Sequence, residues 1–456
     1  MSAPGHSSTR SSTDPADGAA TYAAQVALHL TEDDVRRLDG GDGPAVRLAM
    51  RVVVRLAEAL GAEELLDISA AHVDSCLYHG RAPLDFAERL AADGATVVVP
   101  TTLNVSSLDL LHPDLYRGDP EEGLLARRLM DAYVGMGCRP TWTCAPYQLE
   151  ERPAFGEQIA WAESNAVAFA NSVLGARTDR YGDFVDICAA VTGRAPAAGL
   201  HLDRNRRATV VFRLGGLAPE LYTSSLLPHV LGTLIGAVVG NRVPVIDGLP
   251  DPPGEDWLKA LGAAAASAGS VGMFHVVGAT PEAPTLDAAL GGHQPAEVVV
   301  VAPDDLRRTR DRLNTARLDG ATGDALATVS LGTPHYSVAE FGRFVEALGG
   351  RRVHPEVDVY ISTGRGVLSE VEERGWAEIL RSVGVTIVTD TCTYVTPILA
   401  DTTGPAMTDS AKWAYYAPGN LGVEVVLGST SECAESAVAG RVVLDEAIWA
   451  TGSHDG

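Results

Sequence analysis

Two cysteines, Cys76 in the run His72-Val73-Asp74-Ser75-Cys76 and Cys392 in Asp390-Thr391-Cys392, carry the side chains of this sequence best suited to hold a soft metal ion. A thiolate binds iron or zinc well, and each cysteine stands in a polar loop at the end of a predicted strand, where open α/β sheets place their ligands. Spacing alone gives no metal signal, because the six cysteines are dispersed and form no CxxC. The two can share a site only if the fold joins distant loops. His72 and Asp74 stand two apart, which on an extended segment turns both to one side, beside Cys76, to orient a ligand, relay a proton or form a structural pair. Two further polar loops follow predicted strands, Thr101-Thr102-Leu103-Asn104 and Gly332-Thr333-Pro334-His335. Lys412 follows the hydroxyl-rich run Met407-Thr408-Asp409-Ser410-Ala411, so its ammonium could meet a carboxylate also held by Ser410, and Arg177 could do likewise. The formal net charge of −24 excludes the clustered cations that nucleic acid or an anionic membrane requires. An anionic substrate therefore depends on a few local cations of this kind.

The elements that must position these residues read as α/β. Residues 155–180 predict a helix on which Glu157, Ser164 and Asn171 fall on one line, flanked by Asn165 and Ser172, opposite Ile159, Ala162, Ala166, Ala170 and Val173. Buried polar groups need partners, so this line meets another polar segment or lines a ligand cavity. Glu157 and Glu163 would bind substrate or tie the helix to a loop. Short β-rich runs at 96–100, 208–214, 272–278, 296–302, 327–331, 358–362, 385–390 and 422–428 alternate, after residue 290, with helical runs at 303–316, 337–348 and 366–381. That rhythm predicts parallel sheets flanked by helices. Thr31 caps a helix start and residues 44–60 form a longer amphipathic helix, while residues 1–30 are polar and expected to be disordered. The Pro- and Gly-rich run 248–257 is the expected seam between two parts, 31–250 and 251–456. The apolar run 226–240 is broken by His229 and three glycines and reads as a buried helix, not a membrane span. No apolar signal core opens the chain, and the expected location is cytoplasmic.

Ten motifs in order, HVDSC, VPTTLN, CAPYQ, GEQIAWAESNAV, NSVLGARTDRYGD, GLHLDRNR, FHVVGATPEAPT, LGTPHYS, TDTCTYVTPI and MTDSAKWAYYAPG, resemble the large-subunit region of aconitase X from about residue 30 almost to the C-terminus. The resemblance implies an aconitase-like, multi-layer α/β scaffold and a hydro-lyase that eliminates water from a small anionic hydroxy acid. Characterised branches of the family dehydrate cis-3-hydroxy-L-proline or phosphomevalonate, with an iron–sulfur cluster as Lewis acid, and the first is the expected substrate type. Carried onto this sequence, it implies Cys76 and Cys392 as cluster ligands and His72, Asp74, Ser164 and Asn165 as catalytic residues. Thr102, Asn104, Glu157, Arg177, Ser410 and Lys412 are then the substrate-binding set. His275 and His335 lie in matching motifs but rank below these.

Thr333 departs from relatives that have Cys in that loop, so the third ligand and the cluster nuclearity stay open, with Cys144 or Cys433 as substitutes or a smaller metal centre as the alternative. The family also uses a small swivel-like domain that supplies a serine base. Nothing before Thr31 or after Gly456 reads as such a domain, so a separate small subunit is expected. The competing reading is a metal-free or catalytically altered binding protein on the same scaffold.

Overall fold

The computed structural model describes residues 27–318 and 325–449. Most of the expected tail therefore lies outside the described residues, although His29 already pairs with Glu64 in an isolated parallel bridge. Three layered units follow one another along the chain. In the first, a three-stranded parallel sheet, ordered Thr101–Leu103, Ala71–Val73, Ala160–Trp161, is joined by a small antiparallel pair, Leu65–Asp67 with Arg194–Pro196. In the second, four parallel strands are ordered His275–Val276, Pro244–Asp247, Val210–Leu214, Glu297–Val301. In the third, five parallel strands are ordered Val385–Thr389, Asp358–Thr363, Thr328–Tyr336, Ala406–Thr408, Val425–Leu427. Parallel neighbours need crossovers, and helices such as Pro303–Leu313 and Val338–Leu348 supply them. The run 248–257 joins the strand Pro244–Asp247 to the helix Glu255–Ala268 and is internal to the second unit.

The helix Pro44–Leu60 begins with Pro at its first position, ends at a left-handed Gly61 and buries Ala49, Met50, Val53 and Ala57. The helix Leu226–Val239 packs against Glu255–Ala268 so closely that a Cβ on Gly232 would lie 2.4 Å from Leu261 O. Apolar sequence here serves helix-on-helix burial, and no described helix is long and apolar enough to cross a membrane.

Three expectations fail locally. Residues 96–100 form no strand: Val97 and Val98 donate to the carbonyls of Met136 and Ala190, loop-type bonds, and pairing starts only at Thr101. Residues 272–278 keep a strand of two residues. The helix expected over 155–180 starts only at Ser164, because Glu163 caps it by accepting from Ala166 N at 2.7 Å. Upstream, Ile159 N donates to Arg177 O at 3.0 Å, so the segment before the helix pairs with the segment after it. Glu157, Ser164 and Asn171 thus share no helical line. The helix passes at Ala170–Leu174 into a wider turn, where Asn171 and Ser172 are buried and bonded to Thr178 N, Arg206 and Phe274 N.

Candidate active site

The polar loops at the carboxyl ends of the first and third sheets meet. After Thr389 the chain turns through Asp390, whose φ of 62° is left-handed and unusual for a residue with a Cβ. Arg365 clamps its carboxylate from two sides, at 2.6 and 2.7 Å, and Leu110 N adds a third donor at 3.1 Å. Cys392 leaves this turn facing Cys144, which follows another left-handed residue, Trp142 with φ 45°. Cys144, His335 and Cys392 are all buried, and each offers a ligand atom within 4.8 Å of the other two. His335 N donates to Cys144 Sγ at 3.3 Å, its Nδ1 bonds Thr143 Oγ1 at 3.0 Å, and its Nε2 meets Thr391 O at 3.2 Å. Bonding to the Cys144 thiol, followed by burial, pushes the Cys392 thiol well up, while the Lys412 ammonium acts in the opposite sense.

That ammonium arrives from the helix Ala411–Leu421, capped by Ser410, whose Oγ accepts from Trp413 N at 3.1 Å and donates to Thr333 O. Lys412 Nζ is buried against the Glu163 carboxylate and lies 3.5 Å from Ser164 Oγ. Burial works against ionising Glu163, but Lys412 and the backbone N–H groups of Ala166 and Asn165 outweigh it and hold the carboxyl below its ordinary value. Burial likewise opposes the charge on Lys412, and Glu163 more than restores it. The pair is ionised. Beside it, Asn165 Nδ2 bonds Cys144 O at 3.2 Å and Tyr147 OH at 2.7 Å, while its Oδ1 is buried without a partner among the described residues.

From the first sheet, His72 Nδ1 bonds Thr102 Oγ1 at 2.8 Å and its Nε2 is buried without a partner among the described residues. Burial pulls its pKa down to about 4, so the ring is neutral near pH 7. Burial, then the nearby carboxylates of Glu163 and Asp183, push Asp74 up to about 7, against a hydrogen bond from Asn104 Nδ2. Asp186 holds this turn by accepting from Asp74 N at 2.7 Å and Ser75 N at 3.0 Å.

Cys76 is not brought to the group at Cys392. Its Sγ turns into the core of the first unit, toward the carbonyls of Asn104 and Val73 at 3.4 and 3.5 Å. Cys433 is packed in the core of the third unit. Arg177 faces Asp203, and Glu157 accepts from Ala154 N at 2.6 Å and from Ser69, both away from Lys412. His275 Nε2 donates to Arg206 O at 2.8 Å in the second unit. The structure thus gathers Lys412, Ser410, Ser164, Asn165 and Cys392, and replaces Cys76 there by Cys144. Cys144 sits in an irregular loop with no periodicity to mark it, and only its place in CAPYQ pointed to it.

The donor set fits a metal: two soft thiols and an imidazole, all three buried and within reach of one another. It offers two thiolates, not three.

Models of the aconitase X first, second and third domains match residues 27–204, 208–311 and 326–439. The chain belongs to the aconitase X family. It is 45% identical over 443 residues to a cis-3-hydroxy-L-proline dehydratase of Pseudomonas aeruginosa, covering 95% of this chain and 74% of that one. It is 35% identical to the phosphomevalonate dehydratase large subunit of Methanothermobacter thermautotrophicus, over 88% of this chain and 96% of that one. The crystal structure of Thermococcus kodakaraensis aconitase X in its holo form superposes with a TM-score of 0.79 at 32% identity, over 90% of this chain and all of that one. These curated relatives are dehydratases, and this aconitase X chain is of the hydro-lyase class.

Proposed function

We propose that this chain is the large subunit of a cytoplasmic dehydratase that removes water from cis-3-hydroxy-L-proline or a close relative, with an iron centre at Cys144 and Cys392. The observation that carries the reading is the thiol pair set beside the buried Lys412–Glu163 ion pair. β-Elimination of water needs an anchored carboxylate, a proton acceptor for the α-hydrogen and help for a poor leaving group. Iron bound by Cys144 and Cys392, with His335 as the neighbouring donor, would supply Lewis acidity to the departing hydroxyl.

The chain's own residues supply the rest. Lys412 offers a charge for the substrate carboxylate, and Glu163 keeps that charge fixed in a dry site, where it acts at its strongest. Ser164 lies beside this charge, and Ser410 caps the helix that carries it. Asp74, poised near pH 7, exchanges a proton without a large driving force, and neutral His72 offers Nε2 to the same region. Thr102 and Asn104 hold His72 and Asp74 in place. Iron suits the thiol pair in either a mononuclear or a small-cluster form.

The archaeal relatives matched over nearly their full length are called large subunits, which supports a separate small swivel-type partner here. The higher identity to the hydroxyproline enzyme supports that substrate over phosphomevalonate. The test is anaerobic reconstitution with iron, sulfide and the small subunit, followed by turnover of both substrates. Turnover of cis-3-hydroxy-L-proline and dependence on the small subunit are expected; inactivity of the loaded pair toward both contradicts the reading.

A further inference from the structure

A cavity of about 350 Å³ lies between the second and third units, bordered by Thr333 and Ser410 but not by Cys144, Cys392 or Lys412. Its hydrogen-bonding groups are unevenly used. The carboxylates on its wall are already engaged: Asp256 accepts from Ser337 Oγ and Arg343 Nη2, each at 3.0 Å, and Glu340 from Ser337 N at 2.7 Å and from Lys259. Asp409 accepts from Thr430 Oγ1 at 3.0 Å and from Tyr336.

Lys259, Tyr336 and Thr430 spend their donors on these carboxylates, but other donors on the wall are free or only partly used. His229 Nδ1 accepts from Ala411 N at 3.3 Å, which leaves the ring proton on Nε2, and burial holds the ring neutral with a pKa of about 3. Nε2 of His229 and the Trp257 indole N–H have no acceptor among the described residues, and Arg343 commits only Nη2 of its half-exposed guanidinium. The Thr333 hydroxyl, in a residue 3% exposed, has no partner among the described residues. Gly254 caps the helix Glu255–Ala268 without a side-chain bond, and this helix start lines the cavity. Pro228, Pro334 and the faces of Tyr222 and Trp257 give the cavity apolar sides.

Engaged acceptors and free donors around apolar walls select an acceptor-rich ligand with an apolar body. We propose that this cavity is a second ligand site, for a small aromatic or cyclic carboxylate, separate from the site at Cys392. Arg343 and the Trp257 and His229 N–H groups receive the carboxylate, and the ring lies between Trp257 and Pro334. Occupation bears on the reaction site through Ser410, which bonds Thr333 O and caps the helix that carries Lys412.

The test is calorimetric titration of the full chain with benzoate and, in parallel, with inorganic phosphate. Saturable benzoate binding is expected, weakened at least about tenfold by Arg343→Ala, the loss of one charge-assisted bond, and several-fold by Trp257→Phe. Ser164→Ala, on the metal side, should leave it unchanged. Arg343 is half exposed, so its variant should keep the fold, and matching melting curves check this. Absence of saturable binding, full affinity in Arg343→Ala, loss of affinity in Ser164→Ala, or phosphate binding as tight as benzoate would each overturn the proposal.

Discussion

Lys412 of the third unit closes onto Glu163 of the first, and each side chain of this pair is only 5% exposed. The contact joins the starts of two helices and, in the proposed reading, sets the charge offered to substrate, so its loss should be felt in both stability and binding. Removing one partner strands the other as a buried charge, at a cost of about 3–5 kcal/mol. Lys412→Met should therefore lower the denaturation midpoint strongly. Glu163→Gln in the same chain should recover much of that loss, because a neutral amide tolerates the dry pocket. Denaturant unfolding of the two single variants and the double variant checks this, and additive losses would mean the pair is not coupled.

Asp74 gives a pH signature. Its carboxyl is raised from 3.8 to about 7 in the fold, so its contribution to stability is full below pH 4 and is lost as pH rises through 7. Between these limits the Asp74 share falls by up to about 1.4 kcal/mol per pH unit. His72, depressed to about 4, works the other way: its contribution is present above pH 6.5 and is lost as pH falls toward 4. Wild type should thus show a shallow net slope. Asp74→Asn should gain stability relative to wild type as pH rises from 4 to 7, and Asp74→Asn enzyme should also lose the inflection near pH 7 in kcat/KM. A constant stability difference across that range would contradict the assignment.

Arg365 should matter to the metal without touching it. Its two-pronged bond holds the left-handed Asp390 two residues before Cys392, and burial pushes the Asp390 carboxyl up even against Arg365. Arg365→Ala is expected to cost about 1–3 kcal/mol. It should also weaken metal retention about 10–100-fold, as lost outer partners of metal ligands do. Unfolding curves and metal analysis after dialysis read the two effects separately.

The later half of the chain was the more legible. From 296 onward, the β-rich runs at 296–302, 358–362 and 385–390 match strands to within a residue or so; the last two are buried parallel strands, which read as continuous apolar runs, while Glu297–Val301 is an edge strand with Val298 and Val300 exposed. The first unit was harder. Val97 to Val99 carry strong β propensity yet form loop bonds, and Val98 is 62% exposed, because strand formation needs a neighbour and propensity cannot name one. The stretch around Ser164 looked helical throughout, but pairing of Ile159 with Arg177 overrode local preference. The approach of Cys144 to Cys392 is a contact across nearly 250 residues between irregular loops. No local pattern encodes it, and motif order names loops without saying which cysteines the fold brings together.

The account stands most directly on which cysteines hold the metal. Iron content and the visible absorption spectrum should be measured on anaerobically purified wild type and on Cys144→Ser, Cys392→Ser and Cys76→Ser. The geometry predicts that wild type and Cys76→Ser retain iron and a sulfur-to-iron charge-transfer band, and that both are lost in Cys144→Ser and Cys392→Ser while the fold persists. Iron and spectrum intact in Cys144→Ser, or lost in a folded Cys76→Ser, would contradict it.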